Sequence, residues 1–175
     1  MRKGCKRSQQ GMTLIEVLVS VLILAIGILG AAAIQLNALK YTDSSAMTSQ
    51  ASFIAYDMMD RIRANVDGNA VANGATNVLA NYGLASLAGA PAAGNLNDAR
   101  VQDLFDFSTN VTAFAGTDGA NSKIVVNGRE VTITIYWNDA RAMGASDVAL
   151  TGSATSATQR SFVLVSQVGV TVVTP

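Results

Sequence analysis

The side chains that ordinarily carry chemistry are scarce in this sequence. It has no histidine, and so lacks the commonest general base and the commonest transition-metal ligand. Its only cysteine, Cys5, cannot close a disulfide within the chain, and no apolar lipobox precedes it to mark it for lipid attachment. No GxSxG, phosphate loop or CxxC occurs. The usual nucleophile, nucleotide and redox constellations therefore have no members here, and the expectation is a protein that is not an enzyme and uses no cofactor or metal.

Carboxylates remain. Asp103 and Asp106 are three apart, and a helix through them would set both on its polar side, a solvated position rather than a catalytic pair. Asp57, Asp60, Arg61 and Arg63 crowd together, with Asp57 and Arg61 at the i, i+4 spacing of a helical ion pair. The expectation is a solvated helix face rather than a metal site. Glu16 stands apart from these because its neighbours are apolar.

Residues 12–34, MTLIEVLVSVLILAIGILGAAAI, hold that single charge and no proline. As a helix rising about 1.5 Å per residue they can span the roughly 30 Å of a bilayer's hydrocarbon. A carboxylate on a lipid-facing helix costs roughly 2.5–3.5 kcal/mol on insertion scales, so an acid kept there calls for a partner. Arg2, Lys3, Lys6 and Arg7 precede the run and no acid comes before Glu16. The positive-inside rule then holds the leader in the cytoplasm and sends the rest of the chain across. A secretory signal cut near residues 31–33 is the competing reading, but its apolar region would be shorter than this one.

The junction QQGMTLIEVLVSVLILAIGILG resembles the prepilin signature of type IV pilins and type II secretion pseudopilins. The resemblance implies that a prepilin peptidase cuts between Gly11 and Met12, that the amine of Met12 is then methylated, and that Glu16 is the carboxylate used in subunit assembly. Members of the family more often have phenylalanine where this chain has Met12. The expected partner of Glu16 is the Met12 amine of a neighbouring subunit, a pairing that would select axial register by penalising an unpaired charge. A Glu16 that snorkels to the membrane edge is the plainer alternative.

The helical pattern continues beyond the apolar run. Residues 31–65 contain neither Gly nor Pro, and Ile34, Leu36, Leu39, Ala46, Met47, Phe53, Ile54, Met58 and Ile62 recur at spacings a helix face accepts. One helix from about residue 12 to 63 would be about 75 Å long. The expected organisation is a leader at 1–11, a membrane-spanning half-helix at 12–34, its outer half at 35–63 and a globular region at 64–175. Within that region, residues 64–95 read as loop with a short helix around 78–87. A helix then begins near Asn97 or Asp98, with Val101, Leu104 and Phe105 on one face, and runs on toward Val111 or Phe114.

The segment SKIVVNGREVTITIYWND predicts a hairpin with Asn127 and Gly128 at the centre of its turn. Val131, Ile133, Ile135 and Trp137 alternate with Thr132, Thr134 and Tyr136, one face of a strand lying on the long helix. Residues 138–159 read as an exposed loop. Residues 160–173 predict a last strand, buried on both sides for part of its length because it is nearly continuous in β-branched residues. The fold class is therefore α+β: a long N-terminal helix packed on a small antiparallel sheet, which is also what the pilin resemblance implies.

The stretches AYDMMDRIRAN and VTITIYWND extend the resemblance toward PilV-type minor pilins, and so does the absence of both a proline in the apolar helix and a C-terminal disulfide loop. That resemblance implies a single-pass inner-membrane precursor with its C-terminal domain in the periplasm, later carried to the pilus tip. The partners it implies are the prepilin peptidase, other minor pilins and the major pilin, the inner-membrane assembly platform and a tip adhesin. A minor pseudopilin of a type II secretion system is the alternative. Removing residues 1–11 takes away four of the twelve basic side chains and none of the twelve acidic ones, leaving a net acidic chain. With Lys123, Arg129, Arg141 and Arg160 dispersed, that balance argues against nucleic acid as a ligand.

Overall fold

The computed structural model describes residues 13–67, 78–139 and 158–168. Helix α1 (Leu14–Asp67) is followed by 3-10 turns at Ala80–Tyr82 and Leu87–Gly89, helix α2 (Ala99–Ala115) and a further 3-10 turn at Gly116–Gly119. Three strands complete the order: β1 (Lys123–Asn127), β2 (Glu130–Asn138) and β3 (Gln159–Gln167). They form one antiparallel sheet in the order β1-β2-β3. The fold is α+β, a long N-terminal helix packed on a small antiparallel sheet. By its internal contacts the chain divides into Met1–Lys40 and Tyr41–Pro175.

In the second unit, the outer part of α1 buries Ala51, Ala55, Met58, Met59, Ile62 and Val66, one stripe at helical spacing. The two alanines keep that stripe low where the layers meet. Phe53, expected on the same face, is 72% exposed, because at about 100° per residue it falls on the far side of the helix from Ala51 and Ala55. The helix also outlasts its expected end at residue 63. Val66 is buried in the core and the Asn65 amide donates to the Tyr82 hydroxyl at 2.6 Å, so tertiary contacts hold an extra turn.

Strand β2 presents Val131, Ile133, Ile135 and Trp137 to the core, each at most 2% exposed. They share one cluster with the α1 stripe and with Leu104, Phe107 and Val111 of α2. Asp98 caps α2, its side chain accepting from the Val101 N–H at 3.1 Å. The buried face of α2 is displaced from the one expected, since Val101 and Phe105 are only half-buried while Phe107 and Val111 are interior.

The hairpin register differs from the expected one by a residue. Asn127 pairs with Glu130, so Gly128 and Arg129 form the two-residue turn and Asn127 ends β1. Gly128 takes φ 61°, the left-handed conformation that primed turns demand at their first central position. Strand β3 departs further from expectation. It is an edge strand, with Val163 at 53% and Val165 at 54% exposure, not a strand buried on both sides; the expected continuation to residue 173 lies outside the described residues. The turns at Ala80–Tyr82 and Leu87–Gly89 replace the single short helix expected at 78–87.

Of the carboxylates read as solvated, Asp57 and Asp60 are exposed on α1, whereas Asp103 and Asp106 join the elements. Asp57 and Arg61 form their i, i+4 pair at 2.9 Å, but Arg61 also reaches α2, at 2.9 Å from Asp106 and 3.5 Å from Asp103. Asp103 is 9% exposed and accepts a hydrogen bond from the Tyr82 hydroxyl at 2.7 Å. A carboxylate so buried persists only when partnered, and these partners come from α1 and from the turn carrying Tyr82. Arg63 similarly donates to the Ser166 hydroxyl of β3 at 2.7 Å. Burial opposes the charge on Arg61, but attraction to Asp57 and hydrogen bonds to Asp106 and Asp57 outweigh it, raising the guanidinium pKa.

Burial first, then the hydrogen bond to Asp103, raises the Tyr82 pKa above the ordinary phenol value; the bond from Asn65 pulls the other way. A folded-state pKa above the unfolded one adds stability that is complete below the unfolded value, about 10 for tyrosine, and is lost as pH climbs past it. Tyr82→Phe is therefore expected to destabilise the full chain in detergent by about 1–3 kcal/mol at neutral pH, since it strips a donor from a buried carboxylate. In urea unfolding, the gap between wild type and Tyr82→Phe should narrow as pH rises above about 10.

Candidate functional site

The first unit is built on the N-terminal part of α1, and no residue from 13 to 43 is buried in the chain. Leu14, Ile23, Leu29 and Ile34 are each at least 65% exposed. A Leu or Ile side chain left in water forgoes about 1.5–3 kcal/mol of burial, so a surface made of them requires a non-aqueous neighbour. The helix is long and apolar enough to cross a membrane, and none of its most apolar stretch is buried among the described residues. Gly27 and Gly30 leave open space where a Cβ would stand, a surface on which another helix can approach closely.

At the start of this helix the Thr13 carbonyl accepts from the N–H groups of Glu16 and Val17 at 3.0 and 3.3 Å. Glu16 lies in the first turn, where the positive end of the helix dipole favours an anion. Its carboxylate is exposed and has no hydrogen-bond or ionic partner among the described residues. One turn on, the Ser20 hydroxyl donates to the Glu16 backbone carbonyl at 2.7 Å. Ser20 thereby satisfies its own polar group within the helix and can sit against apolar surroundings. The sequence reading did not single out Ser20; a hydroxyl four residues after the acid in an apolar run was the available signal.

Gly11 and Met12 lie outside the described residues, as does Cys5. Of the residues named for this site, Glu16 alone is described, and it stands just inside the helix start. A basic leader, a glycine, an apolar helix and an acid in its first turn are thus consecutive.

Residues 6–32 match the family of the prokaryotic N-terminal methylation motif. No curated protein and no solved structure matches this chain. The matched stretch contains Lys6, Arg7, Gly11, Met12 and Glu16, and it ends within the exposed apolar helix. It supports a prepilin-type precursor: a membrane-associated chain processed by a prepilin peptidase.

Among the described residues no group of three or more acidic or cysteine side chains is placed to hold a metal ion. Asp103 and Asp106 are taken up by Arg61, Tyr82 and Gln102. Replacing the lone carboxylate should make the helix easier to insert. Glu16→Leu is expected to raise the inserted fraction in a microsomal glycosylation assay, by an amount below the roughly 2.5–3.5 kcal/mol of a charge at mid-bilayer because Glu16 is close to the helix end.

Proposed function

We propose that this chain is the precursor of a minor pilin of a type IV pilus, a non-enzymatic subunit that joins the complex priming the filament and travels to its tip. The observation that carries the reading is an exposed apolar helix whose first turn holds a carboxylate without a partner among the described residues, inside a matched methylation motif. Such a helix is stable in a bilayer, and equally when packed among like helices in a filament. Cleavage between Gly11 and Met12 would remove the basic leader and create a positive amine beside the apolar surface. Methylation of that amine keeps its charge, and Glu16 of an adjacent subunit would neutralise it.

The minor-pilin assignment rests on the resemblance of the helix continuation and of VTITIYWND to PilV-type subunits. In this role the chain sits in the inner membrane with its C-terminal domain in the periplasm. Its partners are other minor pilins, the major pilin and the assembly platform, and at the tip it helps display an adhesin. Subunits whose helices already associate lower the cost of the first filament turn, which has few neighbours to bury against.

Mass spectrometry of the chain from its own cells is expected to show an N-terminus at Met12 carrying a methylated amine, and an intact Met1 start when the peptidase is deleted. A wild-type chain that begins at Met1 or beyond residue 31 would overturn the proposal. Glu16→Ala should still be cleaved, yet its recovery in sheared filaments should fall about tenfold or more, as expected for loss of a charged hydrogen bond worth about 1.5–3 kcal/mol.

A further inference from the structure

Helix α1 changes character after its apolar half. Six of the eleven residues from Thr42 to Ser52 are serine or threonine, types that form helix less readily than alanine because their hydroxyls compete for backbone groups. The structure shows that competition. Thr48 Oγ1 donates to the Ser44 carbonyl at 3.0 Å, Ser49 Oγ to the Ser45 carbonyl at 2.9 Å and Ser52 Oγ to the Ser49 carbonyl at 2.7 Å. A hydroxyl bonded back into the preceding turn shares a carbonyl with the helix ladder, which weakens the ladder slightly and favours bending.

The stretches on either side have support that this one lacks. Residues 14–34 are apolar, and in a bilayer no water competes for their backbone bonds. From Ala51 onward the helix buries Ala51, Ala55, Met58, Met59, Ile62 and Val66. Between them, residues 41–50 have no buried member; Ser44 and Met47 are half-buried and the others are exposed. A helical stretch this short is marginal in water unless packing holds it. Met47 packs against the core, and a polar tie is added at Ser44. Ser44 Oγ donates to Asp139 Oδ2 at 2.5 Å. Asp139, just past the end of β2 and 3% exposed, is itself positioned by its backbone N–H, which donates to the Thr158 carbonyl at 2.8 Å.

We propose that residues 41–50 open as a unit before either flank of α1 does, with the Ser44–Asp139 hydrogen bond as the latch that keeps them closed. While the latch is made, the helix runs unbroken through the segment. When it is released, α1 gives way here and can bend or unwind while the core stays closed. Such opening frees little apolar surface, because no residue of the segment is buried, and is therefore separate from global unfolding. It is a property of the single chain and holds whether or not the filament reading is correct.

Hydrogen–deuterium exchange of the full chain in detergent, resolved by peptide mass spectrometry, tests this. Protection of amides 42–49 is expected to be at least about tenfold below that of amides 54–62. Two sets of alanine substitutions should then act in opposite directions. Ser45→Ala, Thr48→Ala and Ser49→Ala combined should raise protection across 42–49 about tenfold, because alanine is the better helix former. Ser44→Ala, beside them in the chain, should lower it about tenfold, because a hydrogen bond to a buried carboxylate is lost. Ser44→Thr, which retains the hydroxyl, should stay close to wild type. Equal protection of 42–49 and 54–62, or a Ser44→Ala that raises protection as the other alanines do, overturns the proposal. So does a Ser44→Ala that lowers protection equally over 42–49 and 54–62, since that is weakening of the whole fold and not release of a latch.

Discussion

Apolar side chains that find no cover among the described residues dominate the behaviour of this protein. From Leu14 to Ile34 the helix exposes leucine, isoleucine and valine on every side, a surface that calls for a non-aqueous environment. Bilayer and neighbouring helices are two such environments. Hydrocarbon tails and apolar helices are similar solvents, so exchange of such a helix between the two needs little driving force. Glu16 breaks that near-equivalence. A carboxylate is poorly accommodated in either environment until a positive group meets it.

The second unit meets the opposite requirement, a fold that is stable in water. Its core is made from one stripe of α1, the inner face of β2 and the buried face of α2. Arg61 joins α1 to α2 through Asp106 and Asp103, and Tyr82 brings the intervening turn to the same carboxylate. These polar links specify position more than they add energy. A buried Asp103 without Arg61 and Tyr82 would be costly, so alternative placements of α2 along α1 are penalised. The two ends of the segment between β2 and β3 are also fixed, since Asp139 binds the Thr158 carbonyl through its backbone and the Ser44 hydroxyl through its carboxylate.

Local chemistry set several features that could be read directly. The membrane-crossing run, the basic leader before it and the isolated acid depend only on composition and order. The Asp57–Arg61 pair depends on helical spacing, the Asp98 cap on a polar residue preceding an apolar pattern, and the inward row of β2 on alternation. For the same reason the candidate site can be named from order alone, since Gly11, Met12 and Glu16 are close in the chain, whereas the Ser20 bond to the Glu16 carbonyl was not foreseen.

What tertiary structure decided concerns pairs of elements distant in sequence. Asp103 looked solvated because helix periodicity cannot reveal that Arg61 and Tyr82 close over it. Phe53 looked like core because an apolar residue carries no mark of which side its helix will bury. The hairpin turned at Gly128 and Arg129 because pairing along the whole of β1 and β2 outweighed the preference of one dipeptide. The β-branched run of β3 promised burial on both sides, yet its place in the sheet order left one edge and one face open. Sequence by itself determined the two solvents this chain must satisfy, since those follow from side-chain composition along one helix. Partners, edges and registers were left to the fold, because each is a relation between segments that only packing brings together.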